Sequence, residues 1–226
     1  MNGGNARAGA WALILGALSY IALMAAHPTH AGGGMMIGPL SLNAVVHGAA
    51  LVMQPVLLFG FWQLTRAMGG KALAEIALCI YALAAGATII AATLSGIVIP
   101  VIMEAGQTHG ASMPGPGPGD AEALRQQLQS QAIYTVWLNR SFAGVHVGLF
   151  ALATMLWSIA WPSRAALALI ARGGGVLVGV GVIVWALSGT MTLEAQHGAL
   201  LATLVQMLWT ILAAAALLAM PARDES

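Results

Sequence analysis

The chain has 226 residues, of which 59% are hydrophobic and only 7% charged, with a net charge of +1. Soluble domains are roughly a quarter charged, so this composition and a mean hydropathy of +0.86 exclude a soluble globular protein. The near-neutral balance, with no basic stripe, excludes an electrostatic nucleic-acid binder. A single cysteine, Cys79, excludes an intrachain disulfide and any cysteine-built zinc or iron–sulfur centre.

Runs of about 20 apolar residues cross a bilayer core, and six such runs are legible, which predicts an all-α polytopic bundle of six transmembrane helices. Span one covers about 10–26, after Arg7. Its short apolar core ending in Met-Ala-Ala also fits a cleaved signal peptide. A Gly-rich loop follows, with His27, His30, Met35 and Met36 as potential metal ligands. Span two covers about 42–64, and a basic turn from Arg66 to Lys71 leads to span three, about 73–103. The connection 104–131 contains Pro114-Gly-Pro-Gly-Pro-Gly119, which holds no regular element. After it, Asp120 can cap a short surface helix with Leu124 and Leu128 on one edge. Spans four, five and six cover about 133–161, 166–188 and 195–220. In span five, Gly175 and Gly179 form a GxxxG pair suited to close helix approach.

Six spans put both termini on one side. Arg7, Arg66, Lys71, Arg164, Arg172 and Arg223 share that side, leaving Arg125 and Arg140 opposite. The positive-inside rule then predicts cytoplasmic termini in a bacterial inner membrane. The odd spans end alike, in Leu18-Ser19, Leu94-Ser95 and Leu187-Ser188, and each even span carries a histidine near its start. A helical hairpin repeated three times is one reading, and such repeats often build a site at their interface. Chance similarity among common residues is the other.

The histidines carry the functional expectation. His47 stands 15 residues before Trp62, and His146 stands 15 before Trp161. With Trp at the inner interface, both lie roughly 22 Å above it at 1.5 Å per residue. His197 opens the sixth span in a similar context, with Glu194 one turn before it. A histidine near a helix end often does no more than meet water, but ionisable residues inside membranes are rare and tend to be functional. Neutral imidazole suits haem iron, copper or zinc. Two histidines facing each other at one depth suit a b-type haem, and three converging on an axis suit a small ion. His27, His30, Glu194, Met35 and Met36 add a copper-like donor set on the same side.

Val46-His47-Gly48, with Met53 further along, resembles the second transmembrane helix of haem–copper oxidases and nitric-oxide-reductase-like proteins. The resemblance covers about a dozen residues and implies haem ligation by His47. The chain lacks a His-His pair and the associated tyrosine of that family's copper centre, which argues against oxygen reduction. The resulting expectation is a redox cofactor, haem b first and copper second, held near the outer face by His47, His146 and His197 for electron transfer or quinone-linked chemistry. The alternatives are a cofactor-free structural or assembly subunit among other membrane subunits, and a small metal or solute transporter.

Overall fold

A computed structural model describes residues 3–26, 36–37, 40–112, 118–162, 165–189 and 196–220. Its helices are α1 (Gly3–Ala25), α2 (Leu42–Ala67), α3 (Ala72–Thr93), α4 (Ile99–Ser112), α5 (Pro118–Ala160), α6 (Ala166–Leu187) and α7 (Gln196–Leu218). A five-residue π-helical turn, Leu94–Val98, joins α3 to α4 in one continuous rod. Just before α2, a short antiparallel pair joins β1 (Met36–Ile37) to β2 (Leu40–Ser41). Among the described residues, six helical stretches are long and apolar enough to cross a membrane.

The spans pack in chain order, and α1 also packs on α7, so they close into a ring. Neighbours run antiparallel where small residues let them meet. Along α1, Gly9 faces Gln63 and Gly16 faces Leu57. Between α3 and α5, the Lys71 ammonium donates to the Ala160 carbonyl at 3.0 Å, and further along His146 reaches Ala84. The outward faces carry exposed Val52, Leu83, Leu177 and Leu187, as expected where lipid is the solvent. The Gly175–Gly179 pair places α6 against α5, since a Cβ at Gly179 would lie 2.7 Å from the Ala151 carbonyl oxygen and from Met155 Cβ.

The two halves of the bundle are filled differently. Toward the end carrying Arg66 and Lys71, the basic end, Phe61 stacks on Trp157 at 4.5 Å and 8°. Trp157 stacks on Trp209 at 6.3 Å and 15°, and Tyr81 and Phe150 close the group edge-on at 5.1 Å. The two indoles are tied down, Trp157 Nε1 donating to Thr65 Oγ1 at 2.9 Å and Trp209 Nε1 to the Ala171 carbonyl at 3.0 Å. This aromatic plug leaves the far half to smaller side chains.

Two local features differ from expectation. The sequence suggests a separate surface helix before span four, whereas α5 runs unbroken from Pro118 to Ala160. No proline falls between Asp120 and Ala160, so no residue blocks the helix there. Its 43 residues span about 64 Å, and its first turns project beyond the apolar layer. The serines proposed as a repeat mark fall in three settings. Ser19 lies within α1, Ser95 in the π turn and Ser188 at the end of α6.

Gly179→Leu should lower the thermal midpoint of the detergent-solubilised protein by the equivalent of about 1–3 kcal/mol, because the α5 backbone cannot step aside. Gly181→Leu, where nothing lies within 4 Å of the added carbon, should leave it unchanged. Equal midpoints for the two variants would contradict the close α5–α6 approach.

Candidate ligand-binding site

In the half away from the plug, α1, α2, α3, α5 and α7 surround a cavity of about 170 Å³. Its lining includes His47 and His146, with Tyr20, Thr88, Asn139 and Thr203 as further polar groups. Ala50, Ala91, Ala92 and Ala143 supply much of the rest. Small side chains at the contact leave the room that the plug fills elsewhere.

His47 is placed by the π turn. Ser41 caps α2 by accepting from the Ala44 amide at 3.2 Å, which fixes where the helix starts. Pro100 lacks an amide hydrogen and would crowd the carbonyl four residues back, at Gly96, so an ordinary α-turn is strained there. The chain widens into a π turn instead. Asn43 Nδ2 donates to the Ser95 carbonyl in that turn at 2.9 Å. Gly96 then lets α2 close in, for a Cβ at that position would lie 2.5 Å from His47 Cβ.

Both imidazoles are anchored through the same atom. His47 Nδ1 lies 2.7 Å from the Asn43 carbonyl oxygen, and His146 Nδ1 lies 3.1 Å from that of Ala84. A carbonyl can only accept, so in each ring Nδ1 carries the proton, and in the neutral His146 ring Nε2 carries the lone pair. His146 is 6% exposed, and its Nε2 has no hydrogen-bond partner among the described residues. Such an orphan costs about 1–3 kcal/mol and calls for a partner the protein does not itself supply. The Tyr20 ring stacks on His146 at 6.5 Å and 24°, and its hydroxyl stands beside Thr88 and Gln54. Gln54 is 2% exposed, and neither atom of its amide is bonded among the described residues. Gln206 ties α7 to α5, donating to the Val147 carbonyl at 2.9 Å.

A second cavity of about 170 Å³ adjoins the first between α1 and α7. It is lined by Ile21, Met24, Ala25, Leu200, Thr203, Leu204 and Met207, and Met24 and Thr203 belong to both walls. Ala25 and Leu204 are exposed on the outside of the bundle, so this apolar groove reaches the lipid-facing surface.

Of the residues singled out in the sequence, His47 and His146 meet at one cavity. The first turn of α7 contains His197, but its side chain lies outside the described residues, as does that of Met36 in β1. His27, His30, Met35 and Glu194 also lie outside them. Among the described residues no group of three or more His, Cys, Asp or Glu comes together. Arg140 turns to Trp137, its guanidinium 5.5 Å from the ring centroid, whereas the neighbouring Asn139 lines the cavity. Sequence reasoning missed Tyr20, Thr88 and Thr203. The available signal was that each is a hydroxyl residue set in an otherwise apolar span at the depth of the histidines.

No protein family, curated protein or solved structure matches the chain. The likeness of the His47 segment to an oxidase helix therefore remains a local one.

His146→Phe removes the unpaired nitrogen together with the bond to the Ala84 carbonyl. The thermal midpoint of the unliganded protein should stay within a few degrees, since about 1–3 kcal/mol of desolvation cost is regained against about 0.5–1.5 kcal/mol of lost hydrogen bond. A fall of several degrees would make His146 a structural residue instead.

Proposed function

We propose that this is an integral protein of the bacterial inner membrane, with both termini cytoplasmic, that holds a redox-active group near the outer face between His47 and His146. Its role would be electron transfer or quinone-linked chemistry. The observation that carries this reading is the pair of buried imidazoles on separate helices, each with Nδ1 tied to a backbone carbonyl and both lining one cavity. Anchoring of this kind is what orients histidines as ligands and raises the basicity of the other nitrogen. The orientation rests on the basic residues gathered at the plug end.

Three kinds of group would suit two histidines lining one cavity: the iron of a b-type haem, copper, and the hydroxyls of a quinol. Haem b is favoured by the donor pair and by the alanine walls. Copper is favoured by Met24, whose thioether lines the cavity beside the histidines. Size favours the quinol. A cavity of about 150 Å³ accepts a benzene-sized ring, close to the 170 Å³ here, whereas a tetrapyrrole would have to part α2 from α5. The site is therefore read as a single-ring site with quinone-linked chemistry, and haem b is kept as the second reading.

The visible spectrum and elemental analysis of the purified protein separate these readings. A Soret band would establish haem, and stoichiometric copper would establish the metal. A colourless, metal-free preparation that binds a quinol, with binding lost by at least about tenfold (roughly 1.4 kcal/mol) in both His47→Leu and His146→Leu, is the expected result. No chromophore, no metal and no quinol binding would leave the histidines as polar anchors of a structural subunit.

A further inference from the structure

We infer that the pocket at the basic end of α2 and α3 binds a zwitterionic phospholipid headgroup, with its phosphate at Arg66 and its primary ammonium at Glu75. The pocket, of about 370 Å³, is walled by Trp62, Thr65, Arg66, Gly70, Glu75 and Leu78. It lies at the opposite end of the bundle from the histidine cavity and does not depend on what binds there.

Two opposite charges wall this one space without pairing. Each suits its own helix end, Arg66 in the last turn of α2 and Glu75 in the first turn of α3. Among the described residues, however, neither side chain has an ion pair or a hydrogen bond. Arg66 is held by Trp62, its guanidinium carbon 5.4 Å from the ring centroid. The Glu75 carboxylate turns back over the connection between the helices, for a Cβ at Gly70 would lie 3.8 Å from its Oε1. Gly70, whose φ of +67° favours glycine, adds no side chain to the pocket. The Thr65 hydroxyl is already engaged, accepting from Trp157 Nε1 and donating to the Ala74 carbonyl. The side-chain groups left to a ligand are one cation and one anion.

A ligand that satisfies both carries both charges. A guanidinium matches phosphate through its fork of N–H donors, and a carboxylate accepts only from a group with hydrogens to give. A primary ammonium has such hydrogens. A quaternary ammonium has none and binds instead on aromatic faces, but Trp62 already carries Arg66 on its ring and Phe59 beside it. An anionic headgroup such as that of phosphatidylglycerol satisfies Arg66 but sets its own charge near Glu75. The chemistry selected is that of phosphatidylethanolamine. The surface next to the charges favours a lipid over a soluble zwitterion. Phe59, one turn from Trp62 along α2, lies 6.1 Å from it, and Leu78, one turn from Glu75 along α3, walls the pocket. Phe59, Trp62 and Ile76 are 40%, 43% and 51% exposed. Aromatic and apolar side chains of this kind meet headgroups and the first carbons of acyl chains.

The test uses the full chain in detergent and native mass spectrometry, which resolves the first lipid bound. It compares phosphatidylethanolamine, phosphatidylcholine and phosphatidylglycerol with identical acyl chains. The wild-type chain should bind phosphatidylethanolamine about fivefold more tightly than either of the others, the scale of one ion pair at an exposed site. Glu75→Ala should remove the preference over phosphatidylcholine, and Arg66→Gln should weaken all three lipids by about fivefold. Arg125→Gln removes a cation paired with Glu122 at the other end of the bundle and should change nothing. Selectivity is a ratio within one sample, so any loss of folded protein cancels. Glycerophosphoethanolamine, which has the headgroup without the tails, should not displace the lipid at equal concentration. Equal binding of the ethanolamine and choline lipids, or a preference that survives Glu75→Ala, would overturn the ammonium site. Tightest binding of phosphatidylglycerol would reduce the pocket to general attraction of anions at a basic end and overturn the proposal. Unchanged binding in Arg66→Gln would overturn the phosphate site, and displacement by the tailless headgroup would overturn the assignment to a lipid.

Discussion

A polar side chain inside a membrane bundle can bond only to the protein or to what the protein binds. That constraint organises this structure. Most buried polar groups turn back to their own helix or to a neighbouring backbone. Thr88 donates to Ala84, Ser158 to Thr154 and Thr210 to Gln206, while Gln206 reaches across to Val147. Each solution consumes a carbonyl lone pair and adds a tie within or between helices. Among the described residues, a few buried polar groups find no such partner, including both atoms of the Gln54 amide and Nε2 of His146. In His146 one nitrogen secures the ring and the other faces no bonding partner.

The second organising feature is the unequal filling of the two halves. The basic end is packed with stacked rings, whose indole hydrogens find a threonine hydroxyl and a backbone carbonyl. Rings of this size held in offset contact are rigid and dense. Alanines take their place in the other half, where Ala91 and Ala92 line the chamber just before the π turn. Pro100 forces that turn, Asn43 takes the carbonyl it releases, and Gly96 admits His47. A proline four residues from a glycine thus sets the position of a histidine on another helix.

Much of the architecture was legible beforehand. Span number follows from apolar run length, and the equal offsets of His47 and His146 to Trp62 and Trp161 agree with their meeting at one cavity. Depth is distance along one axis, and the chain records it directly. The surface helix expected before span four was misjudged because a change from apolar to polar composition marks a change of solvent, not a break in hydrogen bonding. The shared Leu-Ser ends of the odd spans were legible as letters. Their local structures differ because Ser95 lies where Pro100 reshapes the turn, whereas Ser188 lies where α6 simply ends.

By itself, the sequence determined the membrane class, the six helices and the common depth of two histidines. Only the tertiary structure decided that His47 and His146 line one chamber with Tyr20, Thr88 and Thr203, that both rings hold Nδ1 against a backbone carbonyl, and that an apolar groove adjoins the chamber. The physical reason is rotational. A helix that is apolar nearly all round carries little information about which face turns inward. That choice is made by small residues where backbones meet, by the rings that fill one half, and by the few polar atoms that must find partners across the bundle.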